Sequence, residues 1–275
     1  VARRRGRSRP GGGLGLAAAA GVALLVLAVA AFGALAYFYI ATPKPPQLDA
    51  ASLCPVAGPS GITVALVDTS DDLPDTTKRQ VLGMLDDVIT GLPEYHKLDI
   101  RVLDIAASRS RSLFSKCNPG DGAGLSEWTA NPTIARMQWI ESFRRPANEA
   151  VTSSLAAAKA ANSPIMAAVQ DIAIEQFSSE QARPIPKTLI IISDMLEYTR
   201  DYSQYPAAGD LSYQRYKQSS AYLKFRTDLH GARVEIRYVQ RGGVRIDTVR
   251  HAEFWREWIL DNKGTFGSVQ RLQGM

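Results

Sequence analysis

The sequence predicts an α/β fold: a mainly parallel open sheet with helices on both faces, preceded by one N-terminal transmembrane helix. Three observations predict it. Two apolar runs, 62–67 and 189–192, are rich in β-branched residues and each stops on a loop bearing hydroxyls and carboxylates. Stretches with helical periodicity separate these and other strand-like runs, which is the alternation a parallel sheet requires. Residues 14–40 carry no charge at all.

In chain order, residues 1–13 form a basic, Gly-rich tail with no expected fold of its own. Residues 14–40 at ~1.5 Å per residue suffice to cross a hydrocarbon core of ~30 Å with some tilt. The arginines ahead of this run place the N-terminus in the cytoplasm and the C-terminal bulk outside it. A cleaved signal peptide is the competing reading, because 32–36 (Phe-Gly-Ala-Leu-Ala) resembles a small-residue cleavage site. The length of the run and the interfacial Tyr37 and Tyr39 favour an uncleaved anchor. Residues 41–60 are a Pro-rich spacer and entry segment, with the domain beginning near Leu48.

The main domain is expected over 61–262, with 263–275 as a C-terminal tail. Gly61 opens the first strand. A helix follows from Leu73 to about Gly91, with apolar Val81, Leu82, Leu85, Val88 and Ile89 at helical spacing. Residues 98–105 read as a second strand and 111–115 as a short third. Asn131-Pro132 opens a helical region that Pro146 is expected to interrupt, with a second helix running to about Lys159. Ser163-Pro164 reads as the N-cap and first position of another helix. Residues 186–194 are a strand, 198–210 a polar loop, 213–229 a helix, 234–239 a strand and 248–262 a final amphipathic helix. The Phe254, Trp255, Trp258 stripe on that helix reads as core-facing.

Charge excludes one function class. The net charge is +5, but Arg3, Arg4, Arg5, Arg7 and Arg9 supply five positive charges, leaving 27 basic residues against 27 acidic. A neutral remainder gives no nucleic-acid footprint. The only cysteines, Cys54 and Cys117, lie beyond the membrane run, where oxidising conditions favour their pairing. Two separate buried thiols are the alternative. His96, His230 and His251 lack the spacing of a zinc site and read as surface or loop residues. No nucleophile elbow, phosphate loop or Cys-x-x-Cys is present.

The chemistry-bearing stretch is Asp68-Thr-Ser70-Asp-Asp72, where the first strand ends. In an open α/β sheet, ligands sit outside the carboxyl ends of the strands where strand order reverses. Hard oxygen donors suit Mg²⁺, Mn²⁺ or Ca²⁺. Together with the turn at Ser163 and the strand end at Ser193-Asp194, this loop resembles the metal-ion-dependent adhesion site of von Willebrand factor type A (VWA) domains. That family has an Asp-x-Ser-x-Ser loop, a Thr in a second loop and an Asp after a later strand. Here Asp72 stands at the second Ser, Ser163 at the Thr, and Met195 follows Asp194 where Gly is usual.

The resemblance implies a degenerate divalent-cation site made of Asp68, Ser70, Asp72, Ser163 and Asp194. Mg²⁺ is the first candidate, with Mn²⁺ or Ca²⁺ as alternatives. It implies a protein-binding module in an envelope assembly and not an enzyme. A metal-dependent hydrolase or phosphotransferase using Asp68, Asp72 and Asp194 is one alternative. A structural domain with a lapsed site is another. Six of the ten tyrosines fall between 198 and 222. Tyr198, Tyr202 and Tyr205 lie in the loop beside the expected metal face and are candidate partner-binding residues, since Tyr offers a large amphipathic ring at low entropy cost.

Overall fold

The computed structural model describes residues 13–41, 45–70, 72–125, 131–155, 160–205, 211–240 and 246–272. The basic tail before Gly13, Asp71, the expected helix end at 156–159 and the last residues of the chain lie outside these. The chain divides into two compact units, Val1–Pro46 and Gln47–Met275.

The first unit is α1 (Gly13–Ala41). Its Ala18–Ala41 portion, 24 residues at mean hydropathy 2.5, is long and apolar enough to cross a membrane.

The second unit contains β1 (Gly61–Val67), α2 (Asp75–Gly91), β2 (His96–Asp104), β3 (Arg109–Cys117), α3 (Pro132–Trp139) and α4 (Arg145–Ser154). It continues with α5 (Ile165–Ile172), β4 (Lys187–Ser193), α6 (Tyr213–Lys217), α7 (Ser220–Lys224), β5 (Arg233–Val239), α8 (Thr248–Asp261) and β6 (Thr265–Leu272). The sheet order is β3-β2-β1-β4-β5-β6. Every pair is parallel except β2 with the edge strand β3. Strand order therefore reverses between β1 and β4, the position at which such sheets form their ligand crevice.

Period-2 alternation divides β1 between two cores. Ile62, Val64 and Leu66 pack with α5, α6 and α8. Ala65 and Val67 face the opposite side, with Val81, Leu85 and Ile89 of α2 and Phe143 and Val151 of the α3–α4 region. The stripe Phe254, Trp255, Trp258 is buried, as expected.

Several expectations are corrected. Pro146 does not interrupt its helix. A π turn, Ile140–Arg144, joins α3 to α4 and sets Pro146 in the first turn of the new segment. The carbonyl that Pro146 cannot bond, that of Ser142, accepts Lys116 Nζ at 3.4 Å. The region 213–229 is not one helix but the short α6 and α7, separated where Ser219 Oγ donates to the Tyr216 carbonyl at 2.7 Å. The expected tail 263–275 contains β6, which pairs with β5. Residues 47–56 are folded onto the domain: Leu48 bridges Pro55, Cys117 N–H donates to the Ser52 carbonyl, and Cys54 is disulfide-bonded to Cys117.

Two histidines read as surface or loop residues are buried. His96 packs over Gly61, where a Cβ would come within 2.2 Å of its ring, and its Nε2 lies 3.0 Å from Thr63 Oγ1. His251 is fully buried in α8.

Candidate metal centre

Asp68 stands one residue past β1, and its N–H extends the β1–β4 ladder to the Ile192 carbonyl at 2.9 Å. This parallel register puts Asp68 beside the end of β4. The Asp68 side chain is buried. Its Oδ1 accepts the Ser70 N–H at 2.9 Å, closing an Asx turn. Its Oδ2 accepts Ser193 Oγ at 2.7 Å and Ser163 Oγ at 3.1 Å. Three loops thus converge on one carboxylate. Each serine donates its only hydroxyl proton to Asp68 and keeps oxygen lone pairs for another partner.

The structure brings Asp68, Ser70, Ser163 and Asp194 to one end of the sheet. Ser70 is buried, and its carbonyl accepts the Ala160 N–H at 3.0 Å. Asp194 is half-buried and its Oδ1 accepts the Leu196 N–H at 2.9 Å. Burial, and then the negative charge of Asp68, push the Asp194 carboxyl up to about 7. Asp72 is placed differently: it is exposed and ion-paired with Lys78 at 2.8 Å.

Ser163 is not the N-cap of α5. Pro164 holds that position, while Ser163 pairs with Tyr198 through both backbone groups, at 2.8 and 3.1 Å. The α5 N-terminus is met from elsewhere: Met166 N–H donates to Glu197 Oε2 at 2.8 Å. Glu197 is fully buried and its Oε1 has no hydrogen-bond partner. Burial, only partly offset by the amides of Met166 and Ile165, pushes its carboxyl up to about 8.

Sequence reasoning missed the polar network beneath this centre. Ser193 Oγ donates to Asp68 and accepts the Met195 N–H at 2.7 Å, linking Asp68 to the next loop. Met195 takes a left-handed backbone, φ 60°, and its carbonyl accepts Trp255 Nε1 at 2.9 Å. Gln204 Oε1 accepts the Glu197 N–H at 3.0 Å and lies 3.2 Å from His251 Nε2, whose Nδ1 is 2.8 Å from the Tyr238 hydroxyl. Burial lowers the His251 imidazole to about 4, so it is neutral at ordinary pH. A signal for His251 was present: 251, 254, 255 and 258 form one helical stripe. None marked Glu197 or Gln204.

The tyrosines separate into two groups. Tyr202 stacks on Phe254 and meets Tyr216 edge to face, and it packs on the core. Tyr213 and Tyr222 hydroxyls both donate to Asp261, at 2.9 and 2.8 Å. Tyr198, 42% exposed, and Tyr205 form a T-shaped pair with centroids 5.2 Å apart.

The donor set fits a small hard cation. Among the described residues no cationic side chain is paired with the buried Asp68 carboxylate, whose partners are one amide and two hydroxyls. Its charge is felt by a second carboxyl, Asp194. The carboxylates of Asp68 and Asp194 and the hydroxyls of Ser70 and Ser163 are oxygen ligands of the kind Mg²⁺ and Mn²⁺ take. Among the described residues no group of three or more His, Cys, Asp or Glu is placed to hold an ion, so any such site depends on its serines.

No family model matches the sequence. No curated protein matches it either. Among solved structures, the chain is similar to the conserved hypothetical protein BatB from Bacteroides thetaiotaomicron, at 13% identity over 78% of this chain and 91% of that one, TM-score 0.37. It is similar to the SpRpn10 VWA domain at 8% identity, over 78% and 89% of the two chains, TM-score 0.38. It is also similar to manganese-loaded TRAP of Plasmodium vivax at 16% identity, over 72% and 63%, TM-score 0.35. A VWA domain thus stands among the neighbours of this α/β fold.

Proposed function

We propose that this chain is a membrane-anchored, extracytoplasmic VWA-like binding module that captures a protein partner with a divalent cation, Mg²⁺ in first place. Asp68, Ser70, Ser163 and Asp194 hold the ion, and Ser193 fixes the Asp68 carboxylate. Asp72 joins only by leaving Lys78. The observation that carries the reading is the convergence of Ser163 and Ser193 hydroxyls on one buried Asp68 carboxylate at the strand-order switch point. A bound ion supplies charge neutralisation of the two acids and one coordination position for an oxygen of the partner. The chain's own residues supply a preset shell: the β1–β4 register fixes Asp68, and the Tyr198 backbone fixes Ser163. Orientation follows from the five arginines ahead of the apolar run. Exposed Tyr198 and neighbouring Tyr205 are the recognition residues of this loop, whereas Tyr202 supports it from within.

The test is calorimetric titration of Mg²⁺, Mn²⁺ and Ca²⁺ into the full chain in neutral nanodiscs, beside Asp68→Ala. Saturable binding in the native chain that falls at least tenfold in the variant is expected. The same heats in both proteins place the ion elsewhere and overturn the site. The second reading, a structural domain with a lapsed site, draws on the ion pair that holds Asp72 to Lys78. It predicts no binding of any of the three ions.

A further inference from the structure

We propose that in the metal-free chain Tyr198 and Tyr205 form a seat for a cationic side chain of a second protein, an Arg before a Lys, distinct from the partner captured through the ion, and that a divalent ion bound at Asp68 and Asp194 weakens this guest. The second clause rests on the metal reading above; the seat itself does not. The aromatic pair is built into the rim of the centre. Tyr198 donates its N–H to the Ser163 carbonyl and accepts the Ser163 N–H, so it is fastened to the residue whose hydroxyl reaches Asp68. Tyr198 is 42% exposed, with Tyr205 edge-to-face at 5.2 Å. This offers aromatic surface that the inward-turned Tyr202 does not.

The two acids of the centre act on that surface. The Tyr205 hydroxyl is held above its ordinary range by burial first, and then by the charges of Asp194 and Asp68, which places the ring within reach of both acids. Arg200 on the same turn is exposed, and Asp201 is ion-paired with Lys224 at 2.5 Å. An aromatic face attracts a cation through its quadrupole. A guanidinium stacks on such faces and is more weakly hydrated than an ammonium, which favours Arg. Neutralising the two acids with a divalent ion removes this attraction.

The experiment uses the full chain in neutral nanodiscs and two peptides: acetyl-Gly-Arg-Gly amide and its citrulline counterpart, equal in shape but uncharged. Ligand-observed NMR reads binding. The Arg peptide is expected to bind at least tenfold more tightly than the citrulline peptide. Tyr198→Leu, which keeps an apolar side chain but no ring, is expected to weaken it about fivefold, whereas Tyr198→Phe retains it. Equal binding of the two peptides, or an unchanged Tyr198→Leu protein, overturns the seat. If Arg-peptide binding is the same with saturating Mg²⁺, the competition is overturned while the seat stands. If Mg²⁺ does not bind in calorimetry but the Arg peptide does, it is the metal reading that fails.

Discussion

Glu197 is a carboxyl group that the fold withdraws from water, and its titration leaves a mark on stability. Its folded value near 8 lies above the ordinary 4.5, so between these values the native state keeps a proton that the unfolded chain has released. Stability contributed by this group is full below 4.5 and is lost as pH rises through 8. Asp194, raised to about 7, acts in the same direction. His251 acts in the opposite one: its folded value near 4 lies below 6.5, so its contribution rises with pH across that window. Below about 6.5 the slopes oppose, and above it only the loss remains. Urea unfolding of the fragment from Gln47 is therefore expected to show stability falling between pH 6.5 and 8, by at most about 1.4 kcal/mol per unit for Glu197. Glu197→Gln removes the Glu197 part of that slope and leaves the part from Asp194; identical pH profiles in the two proteins would refute the assignment. None of this was legible beforehand. Asp68, Ser70 and Asp194 could be picked out because acids and hydroxyls at strand ends are a local pattern. Glu197 meets Met166 only through the packing of a loop against α5, which no spacing in the sequence records.

At the scale of elements, the closure of the domain's entry segment is tied to an edge. The Cys54–Cys117 bridge closes a separation of 63 residues and holds residues 47–56 against the end of β3. A loop of that length restricts the unfolded chain by about 4 kcal/mol in the chain-entropy account. Cys54→Ser is expected to lower unfolding free energy by roughly that amount, with no further loss when reductant is added to the variant; a difference under about 1 kcal/mol would show that the bridge joins positions already held by packing. The pairing was legible as a compartment argument, since both thiols follow the apolar run. Helix boundaries were less so. Pro146 reads as a breaker because an α-helix has no place for its ring, but the π turn before it changes the pairing and a lysine answers the freed carbonyl. The division of 213–229 into α6 and α7 follows the polar stretch 217–220, which has no apolar face to bury, while Tyr213 and Tyr222 on either side both anchor to Asp261.

Across the whole molecule, the alternation of strands and helices gave the class and the switch point, because β1 and β4 are buried on both faces and therefore read as unbroken apolar runs. The sixth strand escaped because its pattern is not alternating. Phe266, Val269 and Leu272 fall three apart, and the structure supplies the cause: the β5–β6 register passes from Val234↔Phe266 to Glu235↔Ser268, leaving Gly267 as a bulge. A Cβ at Gly267 would lie 3.0 Å from the Val234 carbonyl oxygen, so the bulge suits glycine. Past the bulge the strand closes the sheet and returns Leu272, 2% exposed, to the core that β1 shares with α2. This makes the chain's last described residue a structural one. Leu272→Ala in the fragment from Gln47 is expected to cost about 2–5 kcal/mol, the range for emptying a buried leucine site. Val269→Ala, partly exposed on the opposite face, is expected to cost less. Ending the fragment at Asn262 leaves the backbone edge of β5 open to other chains and is expected to promote association, read by light scattering. If Leu272→Ala unfolds at the same urea concentration as the parent, β6 does not close the sheet in solution, and the domain ends at α8 as its hydrophobic pattern alone suggests.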